Sequence, residues 1–310
     1  MLPVLAALLS FALFAGCAQL DAQQRRWIFQ PAAGTPWVDV HDADGMQDVW
    51  IDFDSPTTGR AARLHGLWLP QEDAASGTLA PLLLYLHGAR WDVMASASRV
   101  RRMHELGFCV LAIDYRGFGQ SGAELPSERS ANEDARAAWR WLAAQSPGAA
   151  RYVFGHSLGA AIAVDLAAAV DDEAGLLVES AFTSVPAVVA GMRWGWLPLG
   201  PLIWQRFDAL SKIARVGSPV LVVHGSADEL VPPALGRALY EGAKGPKRWL
   251  LVEGGNHHSA NMLGEAGYRL ALHELFGVGV GAGVGAGPAQ AQARPGTASV
   301  VPATDAPSGG

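Results

Sequence analysis

From residue 81 onward, short runs of wholly apolar residues alternate with segments of helical period. The runs are Leu82 to Leu86, Phe108 to Ile113, Tyr152 to Phe154, Leu176 to Val178, Val220 to Val223 and Trp249 to Val252. A strand with one wet face alternates apolar and polar side chains, whereas a run that is apolar at every position is buried on both faces. Helices are predicted between the runs, at 94–106, 127–145, 158–170, 234–243 and 259–275. In the second of these, Ala135, Ala138, Trp139 and Leu142 recur at a spacing of three or four, with charge between them. Buried strands separated by helices predict an α/β architecture, a mostly parallel central sheet with helices on both faces. Upstream, Val49-Trp50-Ile51-Asp52-Phe53 and Leu64-His65-Gly66-Leu67-Trp68-Leu69 read as leading strands, two or three in number and antiparallel. Residues 185–212 break the alternation and read as a short lid insertion.

The two ends follow different patterns. Residues 2–16 are almost entirely apolar and end in Phe14-Ala15-Gly16-Cys17. Small residues before a cysteine at the close of such a run resemble a bacterial lipoprotein signal, in which Cys17 would be lipidated and become the mature N-terminus. The run has no preceding Lys or Arg and carries Phe14 where such signals usually have Leu. An ordinary signal peptide, an uncleaved anchor, or no signal therefore stand as alternatives. It is short for a membrane-spanning helix, which needs about 20 apolar residues. The first reading places the protein in a bacterial cell envelope, on the periplasmic side, with a membrane tether through Cys17; the alternatives make it secreted or cytoplasmic. At the other end, Gly/Ala repeats give way to Pro, Ser and Thr, a composition unable to bury enough apolar surface to offset chain entropy. The expected organisation is a signal segment at 1–17, an N-terminal link at 18–44, the main domain at 45–276 and a disordered tail at 277–310.

Composition narrows the function classes. Half of the 310 residues are hydrophobic and 17% are charged, which suits a globular protein with a large core. Net charge is 23 − 29 = −6 with no block of Lys or Arg, so nucleic acid is excluded as an expected partner. The second cysteine, Cys109, sits inside an apolar run and reads as a small buried hydrophobe. The histidines and acids lack metal-ligand spacing, and no metal is expected.

The chemistry concentrates at Gly155-His156-Ser157-Leu158-Gly159, between the strand Tyr152 to Phe154 and the helix that opens at residue 158. That setting gives G-x-S-x-G its meaning as a nucleophile elbow. The serine sits on a sharp, strained turn, and strand and helix approach too closely for side chains at the flanking glycines. Four further motifs accompany it in order: Leu86-His87-Gly88-Ala89, Asp114-Tyr115-Arg116-Gly117-Phe118-Gly119-Gln120-Ser121, His224-Gly225-Ser226-Ala227-Asp228 and Gly254-Gly255-Asn256-His257. Together they resemble the α/β-hydrolase superfamily, over residues 45–276. The 114–121 run is similar to the subset containing the Bem46-like proteins and the serine aminopeptidase (S33-type) domain.

The resemblance implies an α/β-hydrolase fold and a serine hydrolase working without metal or organic cofactor on a small acyl ester, thioester or amide. It also implies the chain order nucleophile, acid, base. With Ser157 as nucleophile, Asp228 follows the strand Val220 to Val223 and is the expected acid in preference to Glu229. His257 follows Gly254-Gly255 and is the expected base, with His258 as its competitor. Two backbone N–H groups should hold the oxyanion, those of Leu158 and of Ala89, with Arg90 as the alternative to Ala89. The 185–204 stretch, rich in Trp, Leu and Val, offers Met192, Trp194 and Trp196 as substrate-binding residues, or simply packs on the body or a membrane. An ester or thioester of short to medium acyl chain is the first expectation. An aminopeptidase or amidase, with Glu179 as a subsite for a free amine, is the second. A non-catalytic binding protein on the same fold is the third.

Overall fold

The computed structural model describes residues 2–31, 40–72, 80–192 and 196–279, with side chains at the N-terminal end described from Gly16. The chain opens with helix α1 (Leu2–Phe29), then the antiparallel hairpin β1 (Gln47–Ser55) and β2 (Arg60–Leu69). Gly59, at φ +67°, closes the hairpin turn in a backbone region that other residues enter at a cost. The alternating part follows as β3 (Leu82–Leu86), α2 (Ala97–Glu105), β4 (Cys109–Ile113), α3 (Glu128–Gln145), β5 (Arg151–His156) and α4 (Leu158–Ala167). It continues with β6 (Gly175–Glu179), α5 (Val185–Ala190), α6 (Leu210–Ile213), β7 (Val220–Gly225), α7 (Pro233–Gly242), β8 (Lys247–Val252), α8 (Ala260–Leu263) and α9 (Glu265–Phe276).

These strands form one eight-stranded sheet in the order β1-β2-β4-β3-β5-β6-β7-β8. The pairs from β4 to β8 are parallel, and β1 and β2 extend one edge in antiparallel fashion. The apolar runs are buried because both faces are covered. In β3, Leu82, Leu84 and Leu86 pack toward α3 and α4, while Leu83 and Tyr85 pack toward α2 and α9. Each fully buried leucine of this kind contributes about 1.5–3 kcal/mol of transfer free energy. β3 leads on to β4 on one side, and β5 leads on to β6 on the other. The crevice at the carboxyl ends of β3 and β5 is therefore a topological switch point, the place where open α/β sheets bind ligands.

Three boundaries differ from the sequence reading. The expected N-terminal link at 18–44 is helical as far as Phe29, and that helix docks on the body. Phe29 is fully buried, and Arg25 donates through Nε to the Pro126 carbonyl at 2.9 Å. Its polar residues face backbone carbonyls of distant segments, which makes a docking face look like a solvated link. The run ending at Val252 belongs to an edge strand, β8, which is only partly buried; Leu251 is exposed. The body extends past residue 276, since Gly277 caps α9 in the left-handed conformation and Val278 is buried. The remainder of the expected tail, from residue 280, lies outside the described residues.

Candidate active site

Ser157 sits between β5 and α4 with φ +55° and ψ −116°, a conformation that costs an L-residue energy and persists only where neighbours enforce it. The enforcement is steric and hydrogen-bonded. A side chain on Gly155 would strike the α4 backbone, 2.6 Å from Ala160 Cα, and one on Gly159 would come within 2.7 Å of the Leu86 carbonyl carbon. The Ser157 N–H donates to the Glu179 carbonyl at 2.9 Å, tying the elbow to β6.

The two expected partners arrive from the ends of β7 and β8. Ser157 Oγ lies 3.0 Å from His257 Nε2, and His257 Nδ1 lies 2.8 Å from Asp228 Oδ2. Asp228 Oδ1 accepts the N–H groups of Leu230 (3.0 Å) and Val231 (2.9 Å). The Nε2 of His224 faces both the Val231 carbonyl, at 2.8 Å, and Asp228 Oδ2, at 3.4 Å. Burial alone would raise the Asp228 pKa. Hydrogen bonds from His224, His257 and the Val231 amide outweigh it and hold the carboxyl well below the usual carboxylate range. The acid therefore stays charged wherever the fold is intact.

Neighbouring side chains grip the backbone of the histidine loop. His156 Nε2 donates to the His257 carbonyl at 2.9 Å, and Arg99 Nη2 donates to the His258 carbonyl at 2.7 Å. Burial first, then the charges of Arg99 and His257, hold the His156 pKa well below its ordinary value, so it serves as a neutral donor. His258 keeps one edge in solvent and lies beside Trp91 and His156. Partial desolvation, then His257 and Arg99, push its pKa down to about 4.

Opposite the elbow runs the loop after β3. A side chain on Gly88 would lie 3.2 Å from Ser157 Cβ, so this loop passes directly over the nucleophile. Of the two candidate N–H groups in this loop, that of Arg90 is already engaged, donating to the Phe29 carbonyl at 2.8 Å. Leu158 presents its N–H at the first position of α4. The 114–121 motif supports the loop. Tyr115 donates its hydroxyl to the His87 carbonyl at 3.0 Å, and Asp114 Oδ1 accepts the Val93 N–H at 2.7 Å.

The site opens into a cavity of about 380 Å³, walled mainly by Phe182, Val188, Val189, Met192, Leu230 and, from α1, Trp27. Of the expected substrate-binding residues, Met192 lines it. Trp196 does not line it and is exposed. Trp194 lies outside the described residues. Trp27 and Ile28 line the cavity and were not anticipated; the apolar triplet Trp27-Ile28-Phe29 after a polar stretch was the available signal. Glu179 is no amine subsite. It is fully buried, with Oε1 3.3 Å from Arg99 Nε and Oε2 accepting the Tyr268 hydroxyl. Asp92, the one acid lining the cavity among the described residues, accepts the Ala95 N–H at the start of a short helical turn.

A family model described as serine aminopeptidase, S33, matches residues 79–201. An uncharacterized protein of Mycobacterium tuberculosis is 37% identical over 245 residues, covering 78% of this chain and 83% of its own length. The lysophosphatidylserine lipase ABHD12 of Danio rerio is 30% identical over 180 residues, covering 52% of this chain and 47% of its own length. Among solved structures, the Pyrococcus furiosus esterase Pf2001 superposes with a TM-score of 0.60 at 20% identity, over 78% of this chain and 95% of its own. The chain belongs to the α/β-hydrolase superfamily and is a hydrolase of that type.

Proposed function

We propose that the protein is a serine hydrolase that cleaves carboxylic esters or thioesters through an acyl-enzyme on Ser157. The observation that carries this is the unbroken hydrogen-bond series from Ser157 Oγ through His257 to Asp228, at the floor of an apolar cavity. A serine hydroxyl becomes a useful nucleophile only when a base removes its proton during attack. His257 Nε2 takes that proton as Oγ bonds to the acyl carbon, and the carbonyl oxygen becomes an oxyanion held by the Ala89 and Leu158 N–H groups. Asp228 fixes the ring and stabilises its charged form. The imidazolium then protonates the departing alkoxide or thiolate, leaving the acyl group on Ser157. Water attacks by the reverse use of the same histidine, and the acid is released.

The lining supports the acyl half of this reading, because Val188, Val189, Met192 and Leu230 can solvate a hydrocarbon chain but offer no charge. One relative's name, a lysophosphatidylserine lipase, points to acyl esters as well. The peptidase reading has the family description in its favour, but its expected amine partner, Glu179, is fully buried and paired with Arg99 and Tyr268, and Asp92, the one acid lining the cavity among the described residues, caps a helical turn. Nitrophenyl esters of increasing acyl length should be hydrolysed fastest at short to medium chains, and aminoacyl nitroanilides far more slowly. A fluorophosphonate probe should label Ser157. Faster cleavage of the nitroanilides would move the assignment to a peptidase, and failure to label or hydrolyse anything would favour a binding protein.

Lipidation of Cys17, with a tether in a bacterial envelope, belongs to the same proposal. Cys17 is exposed, and among the described side chains the hydrogen bonds of α1 and Gln30 to the body run from Asp21 to Gln30, so a chain cleaved before Cys17 keeps them. Metabolic labelling with an alkyne fatty acid should mark the wild type in a bacterial host and be lost in Cys17→Ala. Equal labelling of the two would remove the tether.

A further inference from the structure

We propose that the end of α1, Trp27 to Gln30, is a working part of the active site, with Phe29 and Gln30 as positioning residues for the oxyanion loop and Trp27 as a wall of the acyl cavity. The inference rests on reading Ser157 as the nucleophile and Ala89 as an oxyanion donor.

The loop is gripped at both ends by the same phenylalanine. Phe29 is fully buried, edge-on to Phe207 with ring centroids 5.6 Å apart and tilted against Phe118 at 6.3 Å. Phe118 packs edge-on against His87, the first residue of the loop, at 5.0 Å. The Phe29 carbonyl accepts the Arg90 N–H at 2.8 Å, at the far end of the same four residues. Gln30 adds a second tie, its Oε1 accepting Arg90 Nε at 2.8 Å. Ala89 lies between these holds, over Ser157.

The loop needs holding. Arg90 and Trp91 stand at φ +68° and +54°, consecutive left-handed positions occupied by residues with full side chains. Such backbone reverts to negative φ unless its surroundings over-determine it. Nothing in the sequence of the loop itself favours that conformation; the docked helix end supplies the missing constraint. Released from Phe29 and Gln30, the loop can relax, and relaxation at Arg90 rotates the peptide next to Ala89. The donor would then miss the oxyanion while the Ser157–His257–Asp228 series stays in place.

The helix end is itself well anchored. Gln24 Nε2 donates to the Leu202 carbonyl at 2.6 Å, and its Oε1 accepts the Trp204 N–H at 3.0 Å. Asp21 Oδ1 accepts from Gln205 at 2.9 Å. The segment thus joins the 202–205 stretch to the loop after β3, and Trp27 and Ile28 line the cavity.

The test uses the full chain with Phe29→Ala, Phe29→Leu, Gln30→Ala and Trp27→Ala. Phe29→Ala should lower kcat on a nitrophenyl ester by about ten- to a hundredfold, the scale of a small misplacement, with KM changed less than about threefold. Affinity for a trifluoromethyl ketone, which presents an oxyanion when bound, should fall by the same factor, and the pH dependence of kcat should keep its shape. Phe29→Leu should recover most of the loss. Gln30→Ala, which leaves the core intact, should show a smaller fall in kcat and in ketone affinity together. Trp27→Ala should instead raise KM, more for longer acyl chains. Should Phe29→Ala fail to fold, Gln30→Ala decides. A folded Gln30→Ala protein with wild-type kcat and ketone affinity would overturn the proposal, as would a Phe29→Ala loss confined to thermal stability. A wild type inert toward esters and unlabelled by the phosphonate would instead defeat the underlying hydrolase reading.

Discussion

His257→Ala is expected to lower kcat/KM on an activated ester by about 10⁴- to 10⁶-fold, as removal of the base does in serine proteases, while His258→Ala stays within about fivefold of wild type. Two adjacent histidines share one loop, yet their surroundings differ in every respect that matters to a general base. His257 has Ser157 Oγ 3.0 Å from one ring nitrogen and the charged Asp228 2.8 Å from the other. That carboxylate fixes the tautomer, leaving Nε2 free to accept the serine proton. It also compensates the charge the ring acquires at the moment of attack. His258 packs edge-on against the ring of His257 at 5.0 Å. Its pKa, pushed down to about 4, leaves it neutral from about pH 5 upward. A histidine with a depressed pKa gains its proton only as the pH falls through about 4, outside the range where an ester hydrolase is assayed. His258→Ala should therefore leave the pH dependence of kcat unchanged as well. Steady-state kinetics from pH 5 to 9 on both variants, with circular dichroism as a check on folding, makes the comparison. Loss of activity in His258→Ala with retention in His257→Ala would reverse the assignment.

The arrangement around His257 was legible in the chain because its chemistry constrains residue type and place together. A buried strand ending in Gly-His-Ser-Leu-Gly, another ending in His-Gly-Ser-Ala-Asp and a third ending in Gly-Gly-Asn-His each put a reactive side chain on a turn at the same sheet edge. Parallel strands send their carboxyl ends in one direction, so the three turns converge. Such convergence follows from local pattern plus handed topology, both visible in a sequence. The sheet itself was legible for the same reason: Leu82 to Leu86 could be buried on both faces only inside a covered sheet.

The unread part depends on contacts between segments far apart in the chain. Asp21, Gln24 and Arg25 look like a solvated stretch because nothing near them shows that Gln24 and Arg25 donate to the carbonyls of Leu202, Leu125 and Pro126, or that Asp21 accepts from Gln205. The engagement of the Arg90 N–H by the Phe29 carbonyl, some sixty residues upstream, leaves no trace in the loop's own sequence. Glu179 gave the appearance of a free carboxylate just past the apolar run Leu176 to Val178, and only the fold brings Arg99 and Tyr268 against it. In the 185–204 stretch the hydrophobic residues have no clear period, so composition could not say that Met192 lines the cavity and Trp196 does not. Each miss has one origin: polar and aromatic side chains take their roles from neighbours that local pattern does not name.

Gly155→Ala should destabilise the fold by roughly 3–5 kcal/mol, at the upper end of what single substitutions do. The added methyl would not displace a flexible side-chain tip. It would meet the Gly159 carbonyl and lie 2.6 Å from Ala160 Cα, both backbone atoms in the first turn of α4. α4 cannot retreat, because Ala160, Ile162, Ala163 and Val164 are buried in the core beside β5 and β6. The clash must then be relieved by shifting the strand, the elbow or the helix, and each relief spoils the approach that holds Ser157 at φ +55°. Against a total stability of about 5–15 kcal/mol, a loss of this size leaves little reserve. For a domain of this length it corresponds to a fall in Tm of about 6–20 °C. Gly217→Ala provides the contrast. Its methyl would meet nothing within 4 Å and its φ is not in the left-handed region, so the change should stay within about 0.5 kcal/mol. Urea unfolding of the two variants beside wild type measures both. A Gly155→Ala protein as stable as Gly217→Ala would mean that the strand and helix can separate at the elbow without cost. In that case the glycines would serve catalysis alone, and the strain at Ser157 would need another source.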